Sequence, residues 1–161
     1  MTQEDYERWM RVAIEAGRAN PINPYGCSIV DITRGEVLET GVNHANEDPT
    51  NHGETDAIRK LIAKTSPNLP NFRNLILFTT GEPCCMCMAY ILYCGFKEVI
   101  YGVSFPDFLP YWSGSINLRC REVLARIGTP GAAEPQLPGC IVTGPFLEEE
   151  CKQLWPALSK K

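Results

Sequence analysis

A chain of 161 residues with 44% hydrophobic and 21% charged side chains can bury a core of its own, which excludes intrinsic disorder and the stapled mini-protein class. Its formal charge of −4 comes with no basic block; tight nucleic-acid binding needs such a block to displace phosphate counterions, so small uncharged substrates are expected rather than nucleic acid. The opening residues Met1 to Arg8 are acidic and polar, and the longest near-apolar stretch, Cys84 to Phe96, is too short for a bilayer, so the expectation is one cytoplasmic domain over 1–161, off the membrane.

Apolar side chains at Tyr6, Trp9, Met10, Ala13, Ile14 and Ala16 recur at helical spacing. They predict a helix over 2–19, capped by Thr2 and stopped by the prolines of 20–24. Residues 27–32 read as a strand, Arg34-Gly35 as a turn, and 36–42 as the hairpin partner. After the turn formers of 46–51, Ala57, Ile58, Leu61 and Ile62 predict a second helix over 53–63. Residues 75–79 form a nearly continuous apolar run, as in a strand buried on both faces. Gly81-Glu82-Pro83 punctuates it; a third helix follows from about Cys84 to Tyr93, and a strand at 98–101. Ser104 to Ser115 is aromatic and proline-bearing, without a clear period. Leu118, Val123, Leu124 and Ile127 predict an amphipathic helix over 117–127, 129–138 reads as loop, 140–142 as a short strand, and 147–158 as a last helix. This order implies an α/β mixed sheet with helices on both faces, and the helix between the last two strands allows a parallel crossover there.

The chemistry-bearing residues sit at two predicted helix starts. His52-Gly53-Glu54 opens one helix, and Pro83-Cys84-Cys85-Met86-Cys87 opens another directly after the buried strand. Cys84 and Cys87 are three positions apart, share one helical face and can grip one ion. A first helical turn also favours thiolate over thiol. His52 supplies a third ligand. Three protein ligands leave a fourth tetrahedral position for water or hydroxide, the layout of a catalytic rather than a structural zinc, with one Zn2+ per subunit. Glu54, two residues beyond the ligand, is placed to relay protons without binding the metal. Eight cysteines is also a count that suits a disulfide framework, but three of them crowd into 84–87, a spacing better suited to a metal.

His-x-Glu followed by Pro-Cys-x-x-Cys resembles the signature of the cytidine deaminase-like zinc deaminases. Asn-Pro-Tyr-Gly at 23–26, Asn43, Asp48-Pro49-Thr50 and the run from Leu77 to Cys84 resemble the branch holding guanine deaminases, fungal cytosine deaminase and tRNA adenosine deaminases. The resemblance implies a three-layer α/β/α sandwich around a central mixed five-stranded sheet, and a homodimer. It implies attack of zinc-bound hydroxide on the amine-bearing ring carbon of a nucleobase or nucleoside, a guanine-like purine first. Cytosine, a triazine, a pterin and tRNA adenosine are the alternatives. Glu54 would take the water proton, protonate a ring nitrogen and then the departing ammonia. Asn43 would hydrogen-bond the base and the Gly53 N–H would hold a substrate carbonyl. Tyr25, Tyr93 and aromatic residues of 105–112 would wall the ring, and Asp107 would read an exocyclic group. Glycine at 53, where many members have alanine, resembles the fungal cytosine enzyme.

Plainer readings stand beside these. Cys84 and Cys87 also fit buried core thiols or a redox pair, which would make the chain a zinc or redox module rather than an enzyme. Asn43 would then pin the hairpin end, Glu54 would be a helix-start carboxylate, and Tyr93 and Trp112 would be core. His44 lacks a partner at ligand spacing. Cys85 breaks the i, i+3 pairing, and Cys27, Cys94, Cys120, Cys140 and Cys151 read as small core fillers.

Overall fold

The computed structural model describes residues 1–110, 116–127 and 139–157. Helix α1 spans Gln3–Arg18 and begins with a capping box, in which Thr2 and Asp5 satisfy each other's backbone N–H groups. Strands β1 (Gly26–Asp31) and β2 (Glu36–Val42) form the expected hairpin. Helix α2 (Gly53–Thr65), strand β3 (Leu75–Gly81), helix α3 (Cys85–Cys94) and strand β4 (Glu98–Val103) follow. Gly95, at φ 81°, closes α3 in the left-handed conformation that costs glycine least. The remaining elements are short: α4 (Phe105–Phe108), α5 (Cys120–Leu124), β5 (Ile141–Thr143) and α6 (Glu148–Lys152).

The five strands lie in the order β2-β1-β3-β4-β5. Strand β1 runs antiparallel to both β2 and β3, whereas β3, β4 and β5 are parallel. Every residue of β3 is buried, as its unbroken apolar run requires. Alternation along that strand divides the core. Leu75 and Leu77 pack with Ala57, Ile58 and Leu61 of α2 and Met88 and Ile91 of α3. Ile76 and Phe78 pack with Trp9, Met10, Ala13 and Ile14 of α1 and with Cys151 of α6. The mixed five-stranded sheet is therefore covered on both faces, giving the three-layer α/β/α sandwich, with parallel pairs at β3–β4 and, as expected, at β4–β5.

Two helices are shorter than their periodicity predicts. The segment 117–127 is helical only over Cys120–Leu124, because Arg119 is diverted as the N-cap into the buried pair described below. The last helix covers Glu148–Lys152; Leu147 sits at φ 49°, outside helical geometry, and Trp155 turns away to pack on other rings. The stretch after β4 contains one helical turn, α4, that its sequence did not announce.

The topology collects several chain positions at one end of the sheet. Because β1 is antiparallel to β3, the start of β1 lies beside the end of β3, with Cys27 opposite Thr79. Because β2 is antiparallel to β1, Val42 lies opposite Gly26. Tyr25, Asn43, Thr79, Glu82 and the α4 turn after β4 thus converge where α2 and α3 begin.

Candidate metal centre

His52 is the N-cap of α2 and Cys84 the N-cap of α3. Neither side chain caps its own helix, so both are free to point into the space between the two helix starts. Cys87, in the first turn of α3, points to the same place. His52 Nδ1 lies 3.6 Å from Cys84 Sγ and 3.5 Å from Cys87 Sγ, and the three ligand atoms lie within 4.8 Å of one another. A tetrahedral zinc with Zn–N of about 2.0–2.1 Å and Zn–S of about 2.3 Å separates N from S by ~3.6 Å. The donor set and its spacing therefore fit zinc.

Electrostatics at the cluster fit the same role. The Cys87 thiol and the His52 ring face Cys84 and, against burial, bring its thiol down to about 4. Cys87, opposite that thiolate and deeply buried, is pushed well up. His52 is raised, first by its hydrogen bond to Cys84. One thiolate and a polarised thiol are thus ready for a cation.

Glu54 lies in the first turn of α2 and is buried. Thr79 Oγ1 donates to its Oε1 at 3.1 Å, an orientation set by the face on which residue 79 of β3 falls. Burial, reinforced by the Cys84 charge, raises the Glu54 carboxyl above its ordinary value, toward the range in which a carboxyl both takes and gives a proton.

A cavity of about 20 Å3 opens beside these groups, lined by Tyr25, Asn43, His52, Glu54, Glu82, Cys84, Phe105 and Phe108. Asn43 is buried and held at three atoms. Its N–H donates to the Tyr25 carbonyl, its carbonyl accepts from Asn20 Nδ2, and its Oδ1 accepts from the Ala45 N–H. That leaves Nδ2 as the donor it can present. The hairpin-pinning role expected of Asn43 and its place in the cavity coexist in one residue. Gly53 permits the close approach behind this arrangement: a Cβ there would lie 2.5 Å from the Tyr25 carbonyl oxygen.

The structure does not bring Tyr93 or Asp107 to the cavity. Tyr93 is 75% exposed near the far end of α3, nine residues or about 14 Å of helix from Cys84. Asp107 sits on the outer side of α4, 3.8 Å from Lys152 Nζ. Trp112 lies outside the described residues. His44 forms loop contacts through its backbone to Asn51, Glu47 and Asp48. None of the eight cysteines is in a disulfide.

Two lining or supporting residues escaped sequence reasoning. Thr79 reads as one more strand residue; only the period of two, counted from Leu75 and Leu77, marks its face. Glu82 reads as turn punctuation, yet its side chain is fully buried and paired with Arg119. A carboxylate between an apolar strand and Pro83, with no local counter-charge, was the available signal.

The family model described as "Cytidine and deoxycytidylate deaminase zinc-binding region" matches residues 3–103. The probable cytosine deaminase of Schizosaccharomyces pombe is 31% identical over 133 residues, covering 80% of this chain and 74% of that protein. A tRNA-specific adenosine deaminase of Haemophilus influenzae is 34% identical over 119 residues, covering 70% of this chain and 64% of that protein. Among solved structures, the guanine deaminase from Nitrosomonas europaea superposes with a TM-score of 0.71 at 20% identity, covering 96% of this chain and 85% of that one. The last is a likeness of fold. The family's zinc-binding region spans well over half of the chain and includes His52, Glu54, Cys84 and Cys87, and the chain belongs to the cytidine deaminase-like zinc deaminases.

Proposed function

We propose that the protein hydrolyses the exocyclic amine of a small, uncharged nucleobase or nucleoside to the oxo product and ammonia, a guanine-like purine first. The observation that carries this reading is the three-ligand cluster of His52, Cys84 and Cys87 with the buried Glu54 carboxyl beside it. Zinc held by these three ligands would supply an activated water, since such a set leaves one position open. Glu54, steadied by Thr79, would take the proton of that water and pass it to a ring nitrogen, then take the proton of the newly added hydroxyl and deliver it to the amine, which leaves as ammonia. The Asn43 amide donates to the base. The Gly53 N–H, free at the start of α2, holds a carbonyl oxygen of the ring, and Tyr25 with Phe105 and Phe108 covers its faces. A structural zinc would require a fourth protein ligand, and among the described residues the cluster has three.

The cavity lining supports a small substrate over tRNA: no lysine or arginine is among its described lining residues, where a phosphate backbone would need them. A pyrimidine such as cytosine is the second reading. It is favoured by the position of Asp107, which faces Lys152 rather than the cavity and so is not placed to read a purine's exocyclic group. Two further features follow from the family resemblance. A homodimer would cover the half-exposed Met86 and Tyr90 and the exposed Tyr93 of α3. Free thiols throughout suit a reducing, cytoplasmic setting.

Ammonia release from a panel of guanine, cytosine, adenine, their nucleosides, aminated triazines and pterins tests the proposal. Turnover of one member is expected; no release from any by zinc-loaded protein would refute it. Glu54→Gln is expected to keep stoichiometric zinc and lose turnover by about 1,000-fold or more, on the scale of lost proton transfer. Full activity in that variant would remove Glu54 from the reaction.

A further inference from the structure

The Glu82 carboxylate receives four donors from three chain positions. The Phe105 N–H donates to Oε2 at 2.8 Å. Arg119 donates through Nη2 to Oε2 at 2.7 Å and through Nε to Oε1 at 3.1 Å, a two-pronged pair. The Cys120 thiol donates to Oε1 at 3.1 Å. The Glu82 N–H in turn donates to the Val103 carbonyl at 2.8 Å. The side chain is wholly excluded from solvent, and a carboxylate so placed persists only when its lone pairs are taken.

The three positions bound on this carboxylate are the two ends of one connection. Phe105 opens the segment after β4, and Arg119-Cys120 closes it at the start of α5. One carboxylate thus fixes both the start of α4, through the Phe105 N–H, and the start of α5, through Arg119 and Cys120. The same segment carries Phe105 and Phe108, which form the cavity wall. That wall leaves about 20 Å3, room for a water-sized group and far below the several hundred Å3 usual for small-molecule pockets. The position of Phe105 and Phe108 therefore sets the surface against which a ring would lie.

We propose that Glu82, clamped by Arg119, is a positioning residue that ties both ends of the 105–119 connection and thereby sets the aromatic wall against which the substrate ring lies. The role in substrate binding rests on the deaminase reading above; the clamp does not. The Glu82 carboxylate is bound by Phe105, Arg119 and Cys120, none of them a ligand or Glu54, so its loss acts on ring binding more than on proton transfer. Glu54, Thr79 and the three ligands keep their contacts when it is replaced.

Hydrogen exchange and kinetics on the zinc-loaded protein test this together. In the double variant Glu82→Met/Arg119→Met an apolar pair of similar volume replaces the ion pair, an exchange that tends to preserve stability, but the Phe105 N–H has lost its acceptor. The melting temperature is expected to stay within a few degrees of the parent. Amide exchange in 104–110 is expected to accelerate about tenfold or more. For guanine or cytosine, whichever the parent turns over, KM is expected to rise about tenfold with kcat changed less than about threefold. Glu82→Gln, which keeps an acceptor for Phe105, should recover most of the exchange protection. Unchanged exchange in 104–110 would overturn the clamp. Accelerated exchange with unaltered KM would overturn its role in binding. If the double variant does not fold, Glu82→Leu/Arg119→Gln, which also removes the acceptor of the Phe105 N–H but keeps position 119 polar, decides in the same way. If the parent turns over neither base, the exchange result still decides the clamp, and the deaminase reading falls by itself.

Discussion

Glu54 is held by a hydroxyl from the neighbouring strand. Thr79→Val removes that hydroxyl at nearly constant volume and leaves the carboxyl free to rotate. A hydrogen bond to a charged group contributes about 1.5–3 kcal/mol, so kcat is expected to fall about tenfold or more, with zinc content unchanged; steady-state kinetics beside metal analysis read both. Cys84 offers a second check at this scale. Its thiol loses its proton as pH rises through about 4, whereas Cys27, Cys87 and Cys151 are held protonated by burial or by a neighbouring charge. In chelator-stripped protein, iodoacetamide is expected to label Cys84 first, at a rate nearly flat from about pH 5 to 7, because thiolate governs alkylation. Zinc should protect it. Preferential labelling of another cysteine, or a rate still climbing steeply toward pH 8, would count against the assignment.

At the scale of elements, β3 does two jobs with alternate residues. Leu75, Leu77 and Thr79 face α2 and α3, where the last meets Glu54; Ile76 and Phe78 face α1. A change on the α1 face should therefore alter stability and leave chemistry alone. Ile76→Ala is expected to cost about 2–5 kcal/mol, as for other buried large-to-small changes, while kcat/KM at a permissive temperature stays within about twofold. Denaturant unfolding and kinetics together decide it; a large loss of activity with intact stability would show the two faces to be coupled. Much at this scale was legible. Helix α1, the hairpin, α2, β3 and α3 lie where their periods place them, because each buries a regular face. The short α4 did not announce itself, and α5 is shorter than its period predicts, since their shape follows from Phe105 and Arg119 reaching a carboxylate far away in sequence.

For the whole molecule, a zinc ion would tie together the two helices of one layer of the sandwich, since its ligands come from the starts of α2 and α3. Binding only to the folded chain, zinc at ~1,000 times its Kd adds about 4 kcal/mol. In a chain of this size that is about 8–16 °C in Tm. Chelation should lower the thermal midpoint by that order and zinc should restore it. A midpoint indifferent to metal would argue that the cluster is a set of core thiols after all.

The metal ligands and Glu54 could be read from the chain because each falls at a helix start, and local spacing alone puts Cys84 and Cys87 on one side. The reaction class follows from those few residues. What local spacing does not contain is the antiparallel placement of β1 beside β3, which brings Tyr25 and Asn43 to the metal, or the clamp of Arg119 on Glu82. It also does not reveal that Tyr93 points to solvent at the far end of α3, nor that Asp107 turns to Lys152. These are contacts between positions tens of residues apart, decided by how layers pack and by where a buried charge finds its donors. The chain's own periodicities therefore determine the chemistry, and the tertiary structure decides the shape of the space in which a ring must lie.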